Sequence, residues 1–163
     1  MIQIRQNFFE TNSSSVHVLV IPKDTSINIP KEVFLCGGEY GWQFDTEYNT
    51  IDYMYQACVD AGREELDKFF AYLKRKGVEK IHAPELHWVK SEWNENYEYA
   101  ENTDGYIDHA EEIPLDYLFA NENLLDRFLF GDSFIETGND NEDDCPDENN
   151  YDHDIYDTIE KGN

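Results

Sequence analysis

Basic residues are scarce. Twelve Lys and Arg stand against 36 Asp and Glu in 163 residues, a formal net charge of -24. Such a chain repels nucleic-acid backbones and anionic membranes at neutral pH, which excludes direct binding of nucleic acid through a basic face. No apolar run approaches the roughly 18 residues that span a bilayer, so no membrane partner is expected. Cysteine is sparse too. Cys36, Cys58 and Cys145 are an odd number without a C-x-x-C pair. A disulfide scaffold or zinc ribbon does not fit this pattern, and a reducing cytoplasm does. Each Cys is expected to be a small apolar filler or an exposed bystander. The opening Met1-Ile2-Gln3-Ile4-Arg5-Gln6-Asn7 lacks the charged-then-apolar order of a secretory signal.

The usual motifs of catalysis are missing as well. There is no G-x-S-x-G elbow and no H-E-x-x-H. Gly37-Gly38 lacks the Lys and helix of a phosphate loop, and the glycines read as a turn. The run Ser13-Ser14-Ser15-Val16-His17 invites a hydrolase reading, because a serine nucleophile needs a base within reach. Ser15 and His17 would share a face of one strand, but no third group orients the His. The plainer expectation is that Asn12 and the serines satisfy turn and cap donors. His17, His82, His87, His109 and His153 show no metal-ligand spacing. Asp140-Asn141-Glu142-Asp143-Asp144 is rich in oxygen ligands but lacks the D-x-D-x-D-G spacing of a calcium loop. No catalytic residue, metal site or cofactor is expected, and no internal repeat is visible.

What is present is a foldable composition with an uneven charge. Hydrophobic residues make up 40% of the chain and aromatics 15%, too rich for a disordered acidic polymer. Residues 1–90 hold 13 acids and 10 bases, whereas residues 91–163 hold 23 acids and only Arg127 and Lys161. That asymmetry marks a dedicated acidic face or tail.

Periodicity predicts the elements. Ile2, Ile4, Phe8 and Phe9 suggest a first strand. Val16 to Ile21 is a β-branched run that reads as a buried strand, closed by Pro22. Val33 to Cys36 is a short strand, and Glu39 to Phe44 a turn into another. Helix is expected from Thr50, taken as its N-cap, with Ile51, Met54, Tyr55 and Cys58 at helical spacing. Gly62 breaks it. A second helix runs from Glu64 to Lys76 with Leu66, Phe69, Phe70 and Leu73 as its apolar stripe and Gly77 as its stop. Its Lys68, Lys74, Arg75 and Lys76 are read as helix-end stabilisers rather than an anion site. Val78 to Ile81 is a strand, and Glu85 to Asp108 a hairpin or long loop. Pro114 to Phe130 is read as one helix with Pro114 at its start, Arg127 solvated and Gly131 as stop. Ser133-Phe134-Ile135 is expected to be the last strand.

The expected fold class is α+β, a small mixed or antiparallel sheet with two or three packed helices. Residues 1–138 form one domain whose acidic face begins near residue 91. Residues 139–163 form an acidic tail, disordered unless Tyr151, Ile155, Tyr156 and Ile159 dock it.

Arg5 and Phe9-Glu10-Thr11-Asn12-Ser13-Ser14-Ser15-Val16-His17 resemble the opening of a group of small phage and prophage proteins, which start with an Arg, a short gap and F-E-T-N-S-S-S-x-H. The likeness extends to Gly38-Glu39-Tyr40-Gly41-Trp42 and to Phe134 through Asn141. It implies shared origin and fold, and carries no catalytic residue to these positions.

Charge and resemblance together lead to an expectation about class. Duplex DNA carries one charge per roughly 1.7 Å, so about 21 charges at that density cover about 36 Å. A compact chain of this size has a diameter of about 40 Å. The acidic half can therefore line one face at DNA-like density, as a phage-encoded mimic that blocks a host DNA- or RNA-binding enzyme in the host cytoplasm. A CRISPR effector or restriction enzyme is the natural target. The expected contact residues are Glu92, Trp93, Glu95, Glu98, Glu101, Asp104, Asp108, Glu111, Glu112, Asp140, Glu142, Asp143 and Asp144. Trp88, Tyr97, Tyr99 and Tyr106 would add aromatic anchors. The competing expectation is a small ligand- or divalent-metal-binding protein, or a hydrolase, whose pocket is built from the Asn12–His17 and Glu136–Asn141 turns.

Overall fold

The most apolar segment of the chain lies at the centre of its largest sheet. In the computed structural model, which describes residues 15–35, 49–94, 96–101, 113–139 and 145–161, strand β1 (Ser15–Pro22) is flanked by β6 (Phe134–Asn139) and β7 (Tyr156–Lys161). Both pairings are antiparallel. Val16 through Ile21 are all buried. Alternation along the strand turns Leu19 and Ile21 toward the main core, and Val16, Val18 and Val20 to the opposite face. Cys145, Tyr151 and Tyr156 cover that second face. A strand covered on both sides reads as a continuous apolar run, which is why β1 is legible in the sequence.

Two smaller sheets hold the other strands among the described residues. β2 (Glu32–Phe34) pairs in parallel with β3 (Lys80–His82), and β4 (Trp88–Lys90) pairs antiparallel with β5 (Glu98–Ala100). The helices are α1 (Thr50–Ala61), α2 (Arg63–Lys76), α3 (Leu115–Ala120) and α4 (Glu122–Phe130). The class is α+β. The first strand expected over Ile2 to Phe9 and the turn over Glu39 to Phe44 lie outside the described residues.

Several boundaries differ from the sequence reading. Asn49, not Thr50, caps α1: its Oδ1 accepts from the amides of Ile51 at 2.9 Å and Asp52 at 3.2 Å. Thr50 is already helical and buried. α1 is buried on every side from Thr50 to Val59, since it lies between α2, α4 and β5, so its apolar stripe understates its burial. Gly62 ends it with φ 119, a conformation that favours glycine. α2 ends at Gly77 with φ 109, in the left-handed cap.

The helix read over Pro114 to Phe130 is two helices. Asn121 interrupts it with a non-helical backbone (φ -114, ψ 72), and its Nδ2 donates to the carbonyl of Tyr117 at 2.7 Å. A side-chain amide that bonds backbone in this way competes with the helical ladder. Arg127 is not solvated. Its side chain is 14% exposed and donates to Pro22 O at 3.0 Å, to Asp157 Oδ2 at 2.7 Å and to Asn123 Oδ1 at 3.2 Å. It ties α4 to both β1 and β7, an attachment that helical periodicity cannot show.

Phe134-Ile135 begins a longer strand, and that strand is not the last. β7 follows it and fills the other side of β1. Between them, residues 145–151 cross the outer face of the sheet. A Cβ on Gly138 would lie 2.1 Å from Pro146 Cδ, so this crossing needs the bare backbone of Gly138. Tyr151 and Tyr156 dock there, edge to face at 6.0 Å, while Ile155 stays exposed. Burial, and then donation of its hydroxyl to the Glu136 carboxylate, push the Tyr151 pKa far up.

Candidate partner-binding surface

The β4–β5 hairpin carries the described part of the expected contact set. Trp88 faces Ala100 and Lys90 faces Glu98 across the pair. The turn between the strands is internally bonded. Ser91 N donates to Tyr97 O at 2.9 Å, Tyr97 N to Asn94 O at 3.0 Å, and Asn96 N to Asn94 Oδ1 at 3.1 Å. Trp93 sits in that turn with its amide on Ser91 Oγ at 3.2 Å, and its side chain is 94% exposed. An indole held out in this way by an ordered turn is a ready contact residue, because aromatic anchors dominate protein interfaces.

The hairpin is fixed to the body at its base. The hydroxyl of Tyr97 donates to the carbonyl of Asp60 at 2.9 Å, at the end of α1. A Cβ on Gly62 would meet Glu98 O at 3.4 Å, so the hairpin backbone passes close to the α1–α2 junction. Trp88 and Ala100 pack against the main core. Trp88 is thus a foundation, while Trp93, Tyr97 and Tyr99 form the exposed aromatic set.

Acids lie along the same hairpin. Glu92 is exposed beside Trp93, Glu98 opens β5, and Glu101 Oε2 lies 3.2 Å from His87 Nδ1. Glu95, Asp104, Asp108, Glu111, Glu112, Asp140, Glu142, Asp143 and Asp144 lie outside the described residues, as do Tyr106 and the acidic run 140–144.

Seven of the described cations pair with the chain's own acids. Lys23, Lys31, Lys68, Arg75, Lys76, Lys80 and Arg127 each form an ion pair. Three of the four cations in the basic cluster of α2, Lys68, Arg75 and Lys76, are engaged in this way. Lys68 meets Glu64 and Glu65 within its own helix. Arg75 and Lys76 reach across to Glu122 and Asp126 of α4. Tyr72 donates to Asp126 at 2.5 Å in the same latch. Burial, and then that bond, raise the Tyr72 pKa far above its ordinary value.

The described residues of the two segments singled out in the sequence pair as strands rather than turns. The β1–β6 register sets Ser15 opposite Asn139, Val16 opposite Gly138, His17 opposite Thr137 and Val18 opposite Glu136. His17 and Thr137 are buried, however, and His17 Nδ1 lies 2.8 Å from the Tyr53 hydroxyl. The His17 side chain joins the sheet to α1 within the core. Asn12, Ser13, Ser14, Asp140 and Asn141 lie outside the described residues.

Among the described residues, His82 and Cys58 have local roles. His82 stacks on Phe34 at 4.4 Å and meets Glu32 at 2.7 Å, bridging β2 and β3. Cys58 is buried in α1, and burial pushes its thiol pKa well up, so it is a poor nucleophile. Among the described residues no group of three or more His, Cys, Asp or Glu is arranged to hold a metal ion. No helix among them is long and apolar enough to cross a membrane.

The sequence reading missed one further surface, a groove of about 830 Å³ between β7 and the α3–α4 corner. No local signal could have found it, because its walls come from segments that only the sheet brings together. No protein-family model, no curated protein and no solved structure matches the chain.

Proposed function

We propose that the chain is an acidic inhibitor that presents carboxylates in place of phosphates to the basic groove of a host nucleic-acid-binding defence enzyme. The observation that carries this reading is the hairpin. Trp93 projects from the hairpin turn next to Glu92, with Glu98 opening the return strand and Glu101 following it, on a chain with net charge -24. An exposed indole on an acidic hairpin suits an Arg- or Lys-rich partner. It offers cation–π contact at its centre and charge-assisted hydrogen bonds at its edge. Pairing of seven described cations with the chain's own acids limits their opposition to such a partner. The likeness of residues 5–17 to phage proteins supports a target in bacterial defence, such as a CRISPR effector or a restriction enzyme. The chain acts by occupancy, without catalysis or cofactor.

The test is affinity capture on the immobilised full chain from a bacterial lysate at about 0.1 M and about 0.5 M salt, with elution by duplex DNA or by RNA. Charge-led contacts weaken as the Debye length falls from about 10 Å. The expected result is a nucleic-acid-binding enzyme, retained at low salt, displaced by nucleic acid and inhibited by the chain. Absence of any such enzyme in both conditions, or capture that nucleic acid does not compete, overturns the reading.

A further inference from the structure

β7 is an edge strand among the described residues, with β1 on its inner side. The groove beside it touches five consecutive residues, Tyr156 through Glu160. Successive residues of a strand point to opposite faces, so a cavity lined by all five runs along the strand rather than beneath one face. Since β1 takes the inner side, this groove follows the outer one. Its far wall is the α3–α4 corner, where Tyr117, Asn121 and Asn123 supply an exposed ring and amides.

The charge of the groove selects its occupant. The cations in its wall are engaged: Asp157 holds Lys23 at 3.7 Å and Arg127 at 2.7 Å. Glu148 and Glu160 stand together, with the Glu148 amide donating to Glu160 Oε2 at 3.2 Å. A second copy of this chain, at net charge -24, is repelled from such an edge. Charged residues on an edge strand discourage pairing with like-charged strands and favour a complementary one.

The geometry points to the outer edge of β7 as a strand-addition site for an extended basic segment of a partner protein. Main-chain bonds to β7 would supply affinity, and alternate Arg or Lys side chains would reach Glu148 and Glu160. The assignment rests on the proposed function for the basic character of the partner, but its test needs no partner enzyme.

The probe is a blocked seven-residue peptide of alternating Arg and Val, titrated into the full chain by calorimetry. Two further peptides carry N-methyl groups at odd or at even positions, which removes backbone donors and keeps the charge. Binding is expected to protect amides of 156–161 from hydrogen exchange. At least one N-methylated peptide should lose binding. The double variant E148Q/E160Q should bind the parent peptide about tenfold more weakly. The variant E64Q/D67N removes the same charge from exposed positions on α2 and should bind as the parent chain does. Equal binding of all three peptides, or equal loss in both double variants, overturns the edge assignment. Failure here with enzyme capture intact removes only this site. Failure of capture with peptide binding intact removes only the mimic reading.

Discussion

His17 of β1 and Tyr53 of α1 are both fully buried, and the His17 Nδ1 lies 2.8 Å from the Tyr53 hydroxyl. This contact joins the central strand to the central helix. A sequence motif that invites a catalytic reading therefore has a structural role at its last residue. Tyr53→Phe should cost about 1–3 kcal/mol, because it removes a partner from a buried polar ring. Urea unfolding checks this: the midpoint should fall with the slope unchanged.

Gly138 marks where residues 145–151 cross the sheet. Gly138→Ala places a methyl against Pro146, and the chain on one side must move. The expected loss is about 1–3 kcal/mol, as for other overpacked sites. Hydrogen exchange should rise at the amides of residues 145–151 before it rises in α1. Unchanged exchange there would show that the crossing is looser than described.

Trp93 contributes nothing to the core, so Trp93→Ala should leave the melting temperature within error. The same change should weaken capture of the proposed enzyme by tenfold or more, about 1.4 kcal/mol. Lost capture together with a large drop in melting temperature would instead make Trp93 structural.

The latch between α2 and α4 sets a pH window. Bonds from Arg75, and then Lys76, hold the Glu122 carboxyl below its usual range. Its stabilisation is present above the unfolded value, about 4.3, and is lost as pH falls through the folded one. The bond to Asp126 chiefly raises the Lys76 pKa. Its stabilisation is present below about 10.4 and is lost as pH rises through the folded value. The latch is therefore whole at neutral pH. Glu122→Gln should flatten the fall in melting temperature between pH 6 and pH 3, as read by calorimetry. Glu122 is well exposed, so salt should shrink the difference.

The sequence by itself determined the elements whose signal is local. The β-branched run Val16 to Ile21, the stripe and glycine stop of α2 and the acidic excess after residue 91 all lie within a short window. Hydrophobic period and turn chemistry encode them directly. Tertiary structure decided whatever depends on a distant partner. Arg127 has no local feature to distinguish it from a solvated residue, and Pro22 and Asp157 make it a tie between elements. Tyr156 to Lys161 is acidic and only weakly apolar, yet β1 takes it as an edge strand, since an edge needs just one covered face. Trp88 and Trp93 look alike in sequence. The hairpin register sends one to the core and leaves the other in solvent, because the pairing of β4 with β5 and the docking of Tyr97 on Asp60 fix where the turn falls.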